Sequence, residues 1–136
     1  MKPVTPLLTV DSVIRNPETG GIVLIKRKFA PYQGHYALPG GFVDVGETVE
    51  DACRREAKEE TNLTLTDIVL IGVYSDPKRD PRGHSVTVAY YAENDLADLK
   101  AGDDAAEAEI VTNWRDLEIG FDHAQILREA ALKFGF

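Results

Sequence analysis

Glu56, Glu59 and Glu60 stand at i, i+3 and i+4 in the string R-E-A-K-E-E. On a helix these positions share a face, so the spacing gathers three carboxylates into one patch. Like charges at i,i+4 repel, and Ala52, Cys53 and Ala57 on the same side put the patch at the margin of a packed face. A compensating cation would relieve the cluster. Oxygen ligands suit a hard divalent ion, so Mg2+ is expected, with Mn2+ as a substitute. The plainer alternative is a solvated acidic face with Arg54, Arg55 and Lys58 as i,i+4 partners.

The elements around this patch are readable. Thr48 with Asp51 three residues on forms a capping box, so a helix is predicted to start near Val49. Before it, Leu38-Pro39-Gly40-Gly41 is a turn whose paired glycines let the backbone come close to a ligand or metal. Gly41, Glu47, Arg55, Glu56, Ala57, Glu59, Glu60 and Leu63 together match G-x5-E-x7-R-E-U-x-E-E-x-G-U, with U aliphatic. The string resembles the Nudix box of the Nudix hydrolase family. Asn62 stands where that pattern has glycine; asparagine tolerates the left-handed conformation that ends a helix. The resemblance implies a loop-helix-loop in which Gly41, Glu56, Glu59 and Glu60 hold the metal and the glutamates are catalytic. It makes Glu47 and Arg55 structural, a pairing that suits the planar guanidinium of arginine.

Length and charge narrow the classes. A chain of 136 residues, 43% hydrophobic and 28% charged, is expected to be one globular domain spanning 1–136. A net charge of −8 argues against nucleic-acid or anionic-membrane binding, both of which need basic surface. The single cysteine, Cys53, falls inside the predicted helix and reads as a small core residue. No signal peptide, lipidation motif or apolar run of transmembrane length is evident, so the cytoplasm is the expected location.

Leu7 to Ile14 and Ile22 to Lys28 read as two strands of a hairpin around the turn Asn16–Gly21. Tyr36–Leu38 reads as a short strand, Leu65–Ser75 as a longer one, and Ser85–Ala92 alternates cleanly as the next. Between the last two lies D-P-K-R-D-P-R-G-H, a loop that is basic in an acidic chain; its arginines suit phosphate oxygens. His84 at its end is expected to be structural. The loop is similar to the segment that follows the box in ADP-ribose pyrophosphatases. On that resemblance Arg27, Arg79 and Arg82 would hold phosphates, and Phe29, Tyr32 or Tyr74 would stack the adenine. A-G-D-D-A-A-E-A-E reads as an acidic loop ahead of a short strand from Ile110. The resemblance puts a metal-site glutamate there: Glu107 is expected as the general base, with Glu109 or a box glutamate as rivals.

Asp122 is the expected N-cap of a closing helix that would bury Ile126, Leu127, Ala130, Ala131 and Phe134, with His123 in its first turn. Strands, a box helix, further strands and a final helix suggest a mixed sheet between helices. The resemblance sharpens this to the Nudix α/β/α sandwich. It implies metal-dependent hydrolysis of a nucleoside diphosphate linked to another group, foremost ADP-ribose to AMP and ribose 5-phosphate, in a homodimer. The alternatives are a Nudix pyrophosphatase for a dinucleoside polyphosphate, NADH or an oxidised nucleoside triphosphate, or a non-catalytic ADP-ribose sensor.

Overall fold

The computed structural model describes residues 2–100 and 107–136. Seven strands form one mixed sheet: β1 (Leu7–Arg15), β2 (Ile22–Lys26), β3 (Tyr36–Ala37), β4 (Gly40–Phe42), β5 (Val69–Tyr74), β6 (Ser85–Glu93) and β7 (Glu107–Val111). Helices α1 (Val49–Thr61) and α2 (His123–Phe134) cover its two faces. Val10, Ile14, Val23, Tyr90 and Ala92 pack with Ala52, Cys53 and Ala57 of α1. Val13, Leu24, Ala89 and Tyr91 pack with Ile126, Leu127, Ala130 and Ala131 of α2. Successive strand residues point to opposite faces, so a sheet buried on both sides needs apolar residues at both parities, as β1 and β2 carry.

The site's location follows from one topological feature. β1 runs parallel to β6 along its whole length, from Leu7 opposite Ser85 to Arg15 opposite Glu93. On its other edge it meets β2 only at Arg15 and Ile22, beside the hairpin turn. The two strands then part. β4 takes the freed edge of β1, with Thr9 opposite Phe42 and Asp11 opposite Gly40. β3 takes that of β2, with Ile25 opposite Ala37. A cleft opens between the diverging strands.

Three expected boundaries are corrected. β2 stops at Lys26 rather than Lys28, because the Arg27 carbonyl and amide turn back to Gly34 and His35. β5 starts at Val69 rather than Leu65; Leu63 and Leu65 are instead drawn under α1. Glu107 and Glu109 lie on a strand rather than in a loop. β7 pairs with β2 from Lys26 opposite Glu107 to Ile22 opposite Val111, and the unlike charges at its start sit directly across from each other. Residues 101–106, the rest of that acidic stretch, lie outside the described residues.

Both helix caps of α1 follow from its sequence. Thr48 Oγ1 accepts the Asp51 amide at 3.1 Å. Asn62 ends the helix at φ 64° with its amide donating to the Lys58 carbonyl, and its side chain donates to the Asp98 carbonyl at 2.9 Å. Asp122 sits at the N-terminus of α2, but its side chain caps no helix amide. Its carboxylate is taken by Arg79. Among the described residues no helix is long and apolar enough to cross a membrane.

Candidate active site

A cavity of about 890 Å3 fills the cleft. Its lining includes Glu56, Glu59 and Glu60 of α1, Gly40 and Gly41 of β4, and Arg27, Arg82 and Phe121. The glycines are required where they stand. A Cβ on Gly41 would lie 2.4 Å from the Glu56 carboxyl carbon, and one on Gly40 would lie 2.2 Å from the Val10 carbonyl oxygen. The backbone of β4 is thus pressed against both β1 and the carboxylates. The Gly40 amide donates to Glu60 Oε1 at 2.8 Å.

Arg55 is the hub of the cluster. Its Nε and Nη2 grip Glu47 at 2.7 and 3.0 Å, a bidentate pair. Nη2 also donates to the Phe42 carbonyl, tying α1 to β4. Nη1 reaches Glu56 at 2.8 Å and Glu59 at 3.3 Å. One guanidinium therefore serves three glutamates, and Glu60 lies outside its reach. Burial raises the Glu56 carboxyl above the usual carboxylate range against the pull of Arg55. Burial pushes Glu60 up to about 8, with Glu56 and Asp11 adding repulsion against the opposing hydrogen bond from Gly40.

This donor set fits a divalent cation. Three carboxylates beside a close-lying glycine backbone are all-oxygen ligands, and Glu60 is a partly buried carboxyl with excess negative charge around it. Among the described residues no three acidic or histidine side chains already converge on a common point. Glu56 and Glu59 are turned instead toward Arg55.

The other expected residues divide. Arg27 lines the cavity, its Nε donating to the Pro31 carbonyl at 2.7 Å. Arg82 lines it too, paired with Asp80 through Nε and Nη2 at 3.1 and 2.8 Å. Arg79 is placed differently from expectation. It touches the cavity wall but is only 9% exposed, and it spends its guanidinium on Asp122 at 2.9 and 2.8 Å and on Ser85 at 2.8 Å. It anchors the loop between β5 and β6 to the start of α2. Arg79→Ala is expected to cost about 3 kcal/mol of stability in urea unfolding, because Asp122 would be left as a largely buried charge without its partner. Tyr74 is not brought to the cavity. It lies in the core under α2, donating to Glu129 at 2.8 Å, because its strand position faces inward. Glu107 is outside the cavity lining, and Glu109 accepts from the Tyr36 hydroxyl at 3.2 Å. His84 contacts the Ser75 carbonyl and closes the base of the β5–β6 connection. Phe29 is 75% exposed on the cavity wall.

Several cavity residues fall outside the candidates read from the sequence. Phe42 and Phe121 are aromatic residues in short irregular stretches. Asp11 is buried in the middle of β1, accepting from Thr87 at 2.6 Å, with Arg79 and His123 at 3.9 and 3.6 Å. An acidic residue interrupting a strand buried on both faces is the signal that marks it. His123 Nδ1 accepts the Leu38 amide at 2.9 Å, which leaves Nε2 to face Asp11 with the proton.

Comparison with known proteins matches this architecture. Residues 5–131 fit the NUDIX domain. The chain belongs to the Nudix family. It is 47% identical over 124 residues to an ADP-ribose pyrophosphatase of Methanocaldococcus jannaschii, covering 91% of this chain and 72% of that protein. It is 34% identical over 136 residues to the ADPR responsive transcriptional repressor NtrR of Acinetobacter baylyi, covering 93% of this chain and 53% of the repressor. The NUDIX domain of Shewanella oneidensis NrtR, solved in complex with ADP ribose, superposes with a TM-score of 0.88 at 27% identity, covering 96% of this chain and 90% of that one. This Nudix chain therefore spans about half the length of the repressor and nearly three quarters of the archaeal protein.

Proposed function

We propose that this protein is a divalent-metal-dependent pyrophosphohydrolase that cleaves ADP-ribose to AMP and ribose 5-phosphate. The observation that carries the reading is the meeting of opposite charges in the lining of one cavity, Glu56, Glu59 and Glu60 together with Arg27 and Arg82. A diphosphate needs both: cations for its oxygens and a means of delivering water to phosphorus. The 47% identity to an ADP-ribose pyrophosphatase supports the choice of substrate.

Glu56, Glu59, Glu60 and the Gly41 carbonyl would hold the metal, which we take to be Mg2+ with Mn2+ as a substitute. A cation held there would supply neutralisation of phosphoryl charge and a lowered pKa for a water molecule. Arg27 and Arg82 orient the diphosphate, and Phe29, exposed on the wall, offers a face to the adenine. Water adds to one phosphorus, the bond to the bridging oxygen breaks, and the water's proton passes to a carboxylate. Glu59 is our choice of acceptor, since it lines the cavity and its side chain is 58% exposed. Glu107 is the alternative, and Glu107→Gln should leave kcat within about twofold if Glu59 takes the proton. A cytoplasmic location and a small-molecule substrate rather than nucleic acid accord with the charge of −8. We also propose a homodimer, because Val4, Leu7, Leu8 and Phe42 leave apolar surface in water near the start of β1; sedimentation equilibrium at monomer mass would rule it out.

The test is a hydrolysis panel with Mg2+ or Mn2+, offering ADP-ribose, NADH, diadenosine polyphosphates and nucleoside triphosphates. A preference for ADP-ribose of about 100-fold in kcat/KM, roughly 2.7 kcal/mol of discrimination, is the expected result. Broad weak turnover would keep the chemistry and overturn the substrate. Binding of ADP-ribose without metal-dependent hydrolysis would make the protein a sensor, a role suggested by its likeness to the ADPR responsive repressor.

A further inference from the structure

Arg27 and Arg82 reach the same end of the cavity from different places, one just past β2 and the other in the loop between β5 and β6. Both stand over the ring of Phe121. The Arg27 Cζ lies 5.0 Å from the ring centroid and that of Arg82 lies 5.6 Å from it. We propose that Phe121 is a positioning residue whose ring holds these two guanidinium groups side by side as a clamp for two adjacent phosphoryl groups. The inference rests on the reading of the cavity as a diphosphate site.

Two like charges do not come together unaided. Burial and the neighbouring Arg82 lower the affinity of Arg27 for its proton. Asp80, bonded to Arg82, also attracts Arg27, and the ring is a second shared partner, since a cation within about 6 Å of an aromatic centroid is drawn to it. Their other contacts leave hydrogen-bonding capacity facing the cavity. Arg27 uses Nε on Pro31, and Arg82 uses Nε and Nη2 on Asp80. Among the described residues Arg27 Nη1 and Nη2 and Arg82 Nη1 donate to no protein acceptor. A diphosphate supplies the acceptors, and its charge removes the repulsion between the arginines.

The ring is itself held in place. Phe121 adopts φ 56°, a left-handed conformation that costs free energy in any residue but glycine. Tyr32, also left-handed at φ 59°, meets the ring edge-on at 4.8 Å. Gly120 lets the two approach, because a Cβ there would lie 2.9 Å from Tyr32. The Gly120 amide is fixed by the Tyr36 carbonyl at 2.8 Å. Local strain supported from several directions, at a cavity wall, points to a ring held for a purpose rather than for packing alone.

The test is Phe121→Leu, which keeps an apolar side chain and loses the π face, with Phe121→Tyr as the conservative control. For ADP-ribose hydrolysis the leucine variant is expected to raise KM about tenfold with kcat little changed, and tyrosine is expected to restore KM. Two partly exposed cation–π contacts are of the size that gives tenfold. Titration calorimetry with inorganic pyrophosphate and Mg2+ should show the same tenfold loss, whereas inhibition by adenosine should not move. The effect should also shrink in an Arg82→Ala background, since the ring acts through that arginine. If leucine unfolds the protein, Phe121→Met provides the same comparison. Unchanged KM and unchanged pyrophosphate affinity would overturn the clamp. Loss of adenosine inhibition with pyrophosphate affinity retained would overturn it too, making Phe121 a base-stacking residue. Failure of the wild-type protein to hydrolyse ADP-ribose is a different outcome: it removes the substrate assignment, and the pyrophosphate titration still decides the clamp.

Discussion

Glu59→Gln and Glu60→Gln are each expected to lower kcat for ADP-ribose by about 10³-fold, close to 4 kcal/mol of lost transition-state stabilisation. Glutamine keeps the shape and one acceptor oxygen, so the Gly40 amide would still find a partner at residue 60. What it removes is a negative charge from a site proposed to gather a cation and a diphosphate. Metal charge stabilisation contributes several kcal/mol to reactions of this kind, and proton transfer a further 10²–10⁴-fold. The two variants should differ in one respect. Glu60 touches the Gly40 amide and lies outside the reach of Arg55, so its loss should mainly weaken metal affinity and be partly rescued by high Mg2+. Glu59 is the exposed carboxylate proposed to take the proton, and its loss should persist at saturating metal. Steady-state kinetics across a metal titration, with circular dichroism to check folding, separates these outcomes. Near-normal turnover in either variant would sink the metal-site assignment.

The features legible in the sequence are those whose signals are local. Thr48 with Asp51, the left-handed Asn62 and the apolar spacing of α2 each depend on neighbours three or four residues away, and helix geometry brings those together regardless of the rest of the fold. The alternation of Ser85–Ala92 was readable for the same reason. The misplaced side chains are long-range cases. Asp122 has the residue type of an N-cap, but Arg79, far away in sequence, pairs with its carboxylate and changes the role of both. An arginine in a polar loop gives no sign in advance that its partner is buried. Tyr74 looks like a stacking residue until β5 is placed, when the parity of the strand turns it toward α2. The strand β7 was hidden because glutamates are poor strand formers, and only the lysine across the pairing at its start makes Glu107 acceptable there. The place of Phe121 on the cavity wall required the divergence of β1 from β2, a property of the sheet that no window of sequence contains.

Metal-free Glu60→Gln is expected to be more stable than the wild type at alkaline pH and no different in acid. The Glu60 carboxyl has its ordinary value of 4.5 in the unfolded chain and about 8 in the folded protein. Below pH 4.5 both states hold the proton and the residue has no effect on stability. Between 4.5 and 8 the unfolded state releases it while the folded state keeps it, so the unfolded state binds fewer protons and stability falls as pH rises. Above pH 8 the folded state must carry the partly buried charge, and the full penalty is present. At 1.36 kcal/mol per pH unit the interval corresponds to an upper limit of roughly 5 kcal/mol; water entry and relaxation in a cleft should reduce this to a few. For a chain of this size that is about ten degrees in Tm. Thermal unfolding in EDTA at pH 5 and pH 9 checks it: the difference between variant and wild type should grow with pH. A difference that stays flat would mean that Glu60 is ionised at no cost. Added Mg2+ should then close the gap at pH 9, because an ion bound to the ionised carboxylate would compensate its partly buried charge. The residue proposed to hold the metal is thereby the one that makes the metal-free fold less stable, and the proposed cation would offset that cost.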